Sequence, residues 1–131
     1  MVIDTSAIVA VALREPTRQR LLDVIEAANN RILSSASLVE AGMVLRARRG
    51  EHGLTELYQF VDKLVNEVVP FDEAQARRAI AAFARFGKGM GHRAQLNFGD
   101  CAVYALAALR GEAVLATGND FAATDIGVYP L

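Results

Sequence analysis

Hydrophobic positions along the chain change their period repeatedly, and each change marks an element. Met1, Val2 and Ile3 are a short apolar run interrupted by Asp4, and Thr5 to Ile8 then open a helix. The pattern is that of a buried strand ending on a carboxylate. The helix stops before Pro16, because the residue ahead of a proline is driven out of helical backbone. Leu21, Leu22, Val24, Ile25 and Ala28 recur at helical spacing between Thr17 and Asn29, and Asn29-Asn30 end that run. Arg31, Ile32 and Leu33 predict a brief second strand. It leads through Ser34 to Ser37 into a helix that continues to Arg49 and is closed by Gly50.

Leu54, Leu57, Tyr58, Val61, Leu64 and Val65 form one apolar stripe, so the spacing predicts an amphipathic helix over 54–66. Glu67 to Pro70 read as a third strand. Asp72 caps a long helix from Glu73 to Phe86, followed by the Gly-rich stretch GKGMGHRAQLN, the one segment expected to be flexible. Phe98 to Arg110 is a nearly all-apolar, hence buried, helix. AVLATG then predicts a strand ending at a turn, and Ile126 to Tyr129 are a candidate last edge strand. Short strands alternating with helices mean a parallel sheet with helices on both faces and right-handed connections.

Composition narrows the class. A chain of 131 residues is expected to be one domain, burying roughly two-thirds of the surface it exposes when unfolded. It is 53% apolar with three Pro, which leaves no disordered tail or repeat to set aside. The net charge of -1 argues against a broad electrostatic nucleic-acid binder, so any such contact needs a local basic patch. A single Cys101 in apolar surroundings excludes a disulfide framework and fits a buried thiol in a reducing compartment. A strand starting at Met1 leaves no room for a signal peptide, and no apolar run approaches the roughly 20 residues of a membrane span. The expectation is a cytoplasmic protein.

In an open parallel sheet the carboxyl ends of the strands face the ligand crevice. Asp4 follows the first strand, Glu40 lies one turn into the helix after the second, Asp100 opens the buried helix, and Asp120 follows AVLATG. Each has a purely structural explanation. Ser37-x-x-Glu40, Asn97-x-x-Asp100 and Thr117-x-x-Asp120 all match a capping box, and Asp4 can cap the helix it precedes. The conjunction favours a site. Glu40 and Asp100 sit in apolar surroundings, where an unpaired charge costs several kcal/mol, so a compensating cation is expected. An all-oxygen set with neither a Cys/His pair nor His at ligand spacing suits Mg²⁺ or Mn²⁺ rather than zinc. Such ions activate water and clamp phosphate oxygens, which is the chemistry of phosphodiester cleavage.

The segments MVIDTSAI, SASLVEAGMVL, LNFGDCAVYALA and TGNDFAATDI, in this order along the whole chain, resemble a PIN domain, and more narrowly the VapC toxins of type II toxin-antitoxin systems. The resemblance implies a PIN-like three-layer α/β/α sandwich with a short central parallel sheet of four to five strands, in a single domain over 1–131. It implies a metal-dependent endoribonuclease that cuts structured RNA such as tRNA, using Mg²⁺ with Mn²⁺ as a substitute. Asp4, Glu40, Asp100 and Asp120 match the family's catalytic acidic quartet. Asp4 and Asp100 would be the principal metal ligands, with Glu40 and Asp120 completing the shell directly or through water. Thr5 or Ser6 corresponds to the hydroxyl that steadies the site, with Asn97 supporting Asp100. A homodimer and a VapB-type antitoxin, its C-terminal segment in a groove near the site, are the implied partners.

Other residues carry two readings. Asp125 either joins the site or, better, caps the turn ATDIG. Lys88, His92 and Arg93 either hold RNA phosphate or form a solvated loop; the loop is not a P-loop, since no Ser or Thr follows its GK pair. Arg46, Arg48 and Arg49 either complement a helix dipole or form a basic rim with Arg77, Arg78 and Arg85. The stripe from Leu54 to Leu64 faces the core, or with residues 17–29 forms a partner groove. Two competing functions remain. A receiver-like Mg²⁺-binding signalling domain would need a lysine after its last strand, and the only lysines are Lys63 and Lys88. A non-catalytic PIN binding module would keep the acids to hold a structural metal.

Overall fold

The computed structural model describes residues 1–131. At its centre is a parallel sheet of four strands in the order β3-β2-β1-β4: β1 (Val2–Ile3), β2 (Ile32–Ser34), β3 (Glu67–Val69) and β4 (Val114–Leu115). The helices are α1 (Thr5–Ala12), α2 (Arg18–Ala27), α3 (Ser35–Leu64), α4 (Glu73–Phe86) and α5 (Phe98–Arg110).

Successive side chains of a strand point to opposite faces, and here both faces are covered. Val2, Ile32 and Val114 enter one buried cluster with Ala82, Phe86, Val103 and Leu106 of α4 and α5. Their neighbours Ile3, Leu33 and Leu115 enter the other, with Ile8, Leu21, Ile25, Leu45 and Leu57 of α1 to α3. The result is the expected three-layer α/β/α sandwich, with four strands. Its order differs from the 2-1-3-4-5 arrangement of receiver domains. No helix is long and apolar enough to cross a membrane.

The structure departs from the expected elements in several places. α3 runs through both predicted helices but breaks at Gly50, whose φ of 61° and ψ of -147° leave the helical region. The two arms pack on each other: a Cβ on Gly42 would lie 3.5 Å from Leu57 Cδ2. Arg46 pairs with Glu51 at 3.3 Å and Arg49 with Glu56 at 3.2 Å across the break, so these arginines fasten the hairpin. The cap of α3 is Ser34, whose Oγ accepts from the Ala36 amide at 3.2 Å. Ser37 is a buried residue inside the first turn, so no Ser37–Glu40 capping box forms.

Ladder pairing in AVLATG is confined to Val114 and Leu115, and Ile126–Tyr129 add one parallel bridge, Val114 with Val128. Pro130 has no N–H with which to extend it. The Gly-rich loop is closed rather than loose. Gly87 and Leu96 bridge at its neck, Lys88 N–H donates to Leu96 O and Leu96 N–H to Phe86 O, both at 2.9 Å, and Ala94 and Leu96 are fully buried.

Candidate active site

Asp4 is the first residue beyond β1 at the carboxyl edge of the sheet. Its amide donates to Leu115 O at 3.0 Å, continuing the pairing with β4, and only 5% of the residue is exposed. The carboxylate caps α1: Oδ2 accepts from the Ser6 amide at 2.9 Å and from the Ser6 hydroxyl at 2.5 Å. That hydroxyl itself accepts from Thr117 N–H at 3.1 Å. Ser6 thereby ties Asp4 to the segment that follows β4 and carries Asp120. Thr5 turns the other way, its hydroxyl donating to Ser37 O at 3.4 Å and joining α1 to α3.

Glu40 is half-buried on the first arm of α3, and its carboxylate lies against Gly99 in the first turn of α5. Asp100, one residue on, forms the predicted capping box: Asn97 Oδ1 accepts from Asp100 N–H at 2.9 Å, and Asp100 Oδ2 accepts from Asn97 N–H at 3.0 Å. Asp120 is exposed at the start of a 3-10 turn, Phe121–Ala123, without a side-chain cap bond, so the Thr117–Asp120 box does not form. The capping and site readings are therefore compatible for Asp4 and Asp100, while Glu40 and Asp120 cap nothing.

Electrostatics show that the four acids share one field. Burial raises the Asp100 carboxyl to about 6, with the negative charges of Asp4, Asp120 and Glu40 adding to it and the Asn97 amide opposing. Burial also raises Asp4, aided by the charge on Glu40 and opposed by the Ser6 hydrogen bonds. None of the four makes an ion pair with a Lys, Arg or His. As the side chains are placed, no three His, Cys, Asp or Glu residues stand close enough to make a complete ligand set; mutual repulsion of like charges favours that spread. An uncompensated, all-oxygen group of acids fits a hard divalent cation.

Over residues 1–127 the chain matches the family model described as PIN domain. The chain belongs to the PIN-domain family. This PIN domain is 43% identical over 131 residues to ribonuclease VapC30 of Mycobacterium tuberculosis, covering 100% of this chain and 99% of that protein. It is similar in fold to the crystal structure of Mycobacterium tuberculosis VapC20, a sarcin-ricin loop cleaving toxin, with a TM-score of 0.77 at 19% identity over 95% of each chain. VapBC2 from Rickettsia felis, bound to a DNA fragment from its promoter, matches with a TM-score of 0.76 at 14% identity, over 97% of this chain and 94% of that one. The chain is thus of the VapC type.

Other candidate residues of this PIN domain lie elsewhere. Lys88 and Arg93 are exposed and make no hydrogen bond or ion pair with the acids. His92 turns inward, its Nδ1 accepting from Ala94 N–H at 3.0 Å and its ring meeting Phe86 edge-on at 4.9 Å between centroids. Asp125 neither joins the acids nor caps the ATDIG turn. Its oxygens accept from Tyr104 Oη at 2.6 Å and from Arg85 at 3.0 Å. Gly99 escaped the sequence reading, although a glycine beside a helix-opening acid is the signal of a close approach.

Proposed function

We propose that this PIN domain is a metal-dependent endoribonuclease, a VapC-type toxin with Asp4, Glu40, Asp100 and Asp120 as its catalytic acids. The observation that carries the reading is the gathering of four carboxylates from four separate segments at one sheet edge, with no cationic side chain paired to them. Full-length likeness to ribonuclease VapC30 supports the activity. Asp4 and Asp100 hold the metal, Mg²⁺ with Mn²⁺ as substitute, and Glu40 and Asp120 complete its shell directly or through water. When bound, such an ion activates water and neutralises charge on the phosphate being cut.

The chain's own groups prepare that site. Ser6 fixes Oδ2 of Asp4, Asn97 fixes Oδ2 of Asp100, and Gly99 gives Glu40 its seat. Lys88 and Arg93 offer exposed positive charge to RNA phosphates, whereas His92 shapes their loop. Structured RNA such as tRNA is the substrate class. The sarcin-ricin loop cleaved by VapC20 is one such structure.

The partner is a VapB-type antitoxin, as in VapBC2. This PIN domain offers it a groove of about 450 Å³ between α1, α2 and the second arm of α3, with an apolar floor that includes Leu22, Phe60 and Leu64 and a charged rim that includes Arg14, Arg18 and Lys63. This revises the predicted partner surface. Leu57 is core, and Leu54 and Tyr58 line a separate hollow with Val39 and Met43. That hollow suits a second copy of the chain, and the dimer works in the cytoplasm.

The deciding experiment is cleavage of total RNA by purified protein with Mg²⁺, Mn²⁺ or EDTA, beside Asp4→Asn. Discrete metal-dependent fragments, absent with the variant, are expected. Metal binding without cleavage under any condition would leave the non-catalytic module.

A further inference from the structure

Asp120 has the weakest local support of the four acids. It is exposed, caps nothing, and opens a single 3-10 turn. The residues just beyond it are firmly held. Phe121 is 3% exposed and belongs to the cluster of α4 and α5. Thr124 folds back, its hydroxyl donating to Phe121 O at 2.7 Å and accepting from Ile126 N–H at 3.2 Å. Asp125 then spans two helices, with Oδ1 on the Tyr104 hydroxyl of α5 and Oδ2 on Arg85 of α4.

Arg85 and Asp125 are themselves exposed, but the clamp is seated on aromatic packing. The Arg85 guanidinium lies 4.5 Å above the Phe86 ring, and that ring packs 5.6 Å from Tyr104. Tyr104 stands one helical turn beyond Asp100, so the helix that carries one acid of the site also holds the tether of another. The charge states suit the contact. Hydrogen bonding from Tyr104 and the charge of Arg85 keep the Asp125 carboxyl below its ordinary range, and burial together with Asp125 pushes the Tyr104 hydroxyl up.

We propose that Asp125 is a positioning residue which, through Tyr104 and Arg85, sets the place of Asp120 relative to Asp100. The inference rests on the reading of Asp120 as a metal-holding acid. Supporting partners of metal ligands commonly govern affinity by about 10- to 100-fold.

The test measures Mn²⁺ affinity by calorimetry and the Mg²⁺ concentration for half-maximal RNA cleavage. Asp125→Ala is expected to weaken Mn²⁺ binding about tenfold and to raise the Mg²⁺ requirement in parallel, with cleavage recovering at high Mg²⁺. Asp125→Asn keeps an acceptor for Tyr104 but sets an amide N–H against Arg85, so it recovers only part of that loss. Tyr104→Phe deletes only a hydroxyl, shows the same shift, and serves where Asp125→Ala melts too low to assay. In an Asp120→Asn background, Asp125→Ala adds no further loss of Mn²⁺ affinity. Wild-type Mn²⁺ affinity in folded Asp125→Ala and Tyr104→Phe overturns the proposal, as does an additive loss in the Asp120→Asn background. If Asp120→Asn alone changes neither metal binding nor cleavage, the reading of Asp120 falls and the clamp with it. A loss at Asp120→Asn with none at Asp125→Ala overturns the clamp alone.

Discussion

The carboxylate of Glu40 rests on the backbone of Gly99: a Cβ at position 99 would stand 2.8 Å from Oε1 and closer still to Oε2. Gly99→Ala must therefore push Glu40 off its seat. Alanine is otherwise the better helix former, by roughly 1 kcal/mol. The expected outcome is an unchanged or slightly higher melting temperature with cleavage reduced about 100-fold, the scale set by misplacing a reacting group. Melting curves and cleavage rates of the same preparation check it.

Asp100 makes the metal-free protein sensitive to pH. Its folded-state pKa, about 6, lies above the ordinary 3.8, so the folded protein holds this proton more tightly than the unfolded chain does. The stability this contributes is fully present below pH 3.8 and is lost as pH rises through about 6. In EDTA, Asp100→Asn is expected to melt higher than the wild type at pH 7 to 8, with the gap closing towards pH 4. Asp4→Asn shifts in the same direction, since burial raises that carboxyl as well. Added Mg²⁺ is expected to raise the melting temperature of the wild type and of neither variant, because a ligand that binds only the folded state raises its stability.

Gly50 holds a backbone conformation, φ 61° and ψ -147°, that is open to glycine and strained for other residues. Gly50→Ala is expected to cost about 2 kcal/mol and to lower the melting temperature by roughly 5–10 °C. The second arm of α3 shifts with it, so antitoxin binding weakens before RNA cleavage does. Calorimetric melting and a binding titration with the antitoxin separate the two effects.

Leu22 is half-buried in the floor of the groove between α1, α2 and α3. Leu22→Glu places a charge where an apolar partner side chain would dock, which leaves that charge desolvated in the complex. Loss of co-purification with the cognate antitoxin is expected, at an undiminished rate of RNA cleavage.

The features legible in the sequence were those set by local chemistry. Apolar runs flanked by helix signals marked every strand, and the Asn97–Asp100 capping box was readable because both partners lie within one turn. The same spacing misled at Ser37–Glu40. Ser34, at the end of β2, takes the cap first, and Ser37 is already inside the helix. The contacts of Asp125 leave no trace in the local pattern, because its partners are 21 and 40 residues away. No local pattern announces a contact of that range. The Gly-rich loop looked flexible from composition, yet Ala94 and Leu96 anchor it in the core.

β1 is the second strand from the sheet edge, and its outer neighbour, β4, is the last strand to be made: Val2 pairs with Val114 and Ile3 with Leu115. On the ribosome, the first acid of the quartet therefore emerges more than a hundred residues ahead of the last. Contacts of such long range form only after nearly all of the polypeptide is available. The sheet edge that brings Asp4 and Asp120 together is accordingly closed only at the end of synthesis, and a chain cut short before Val114 lacks the strand that closes it.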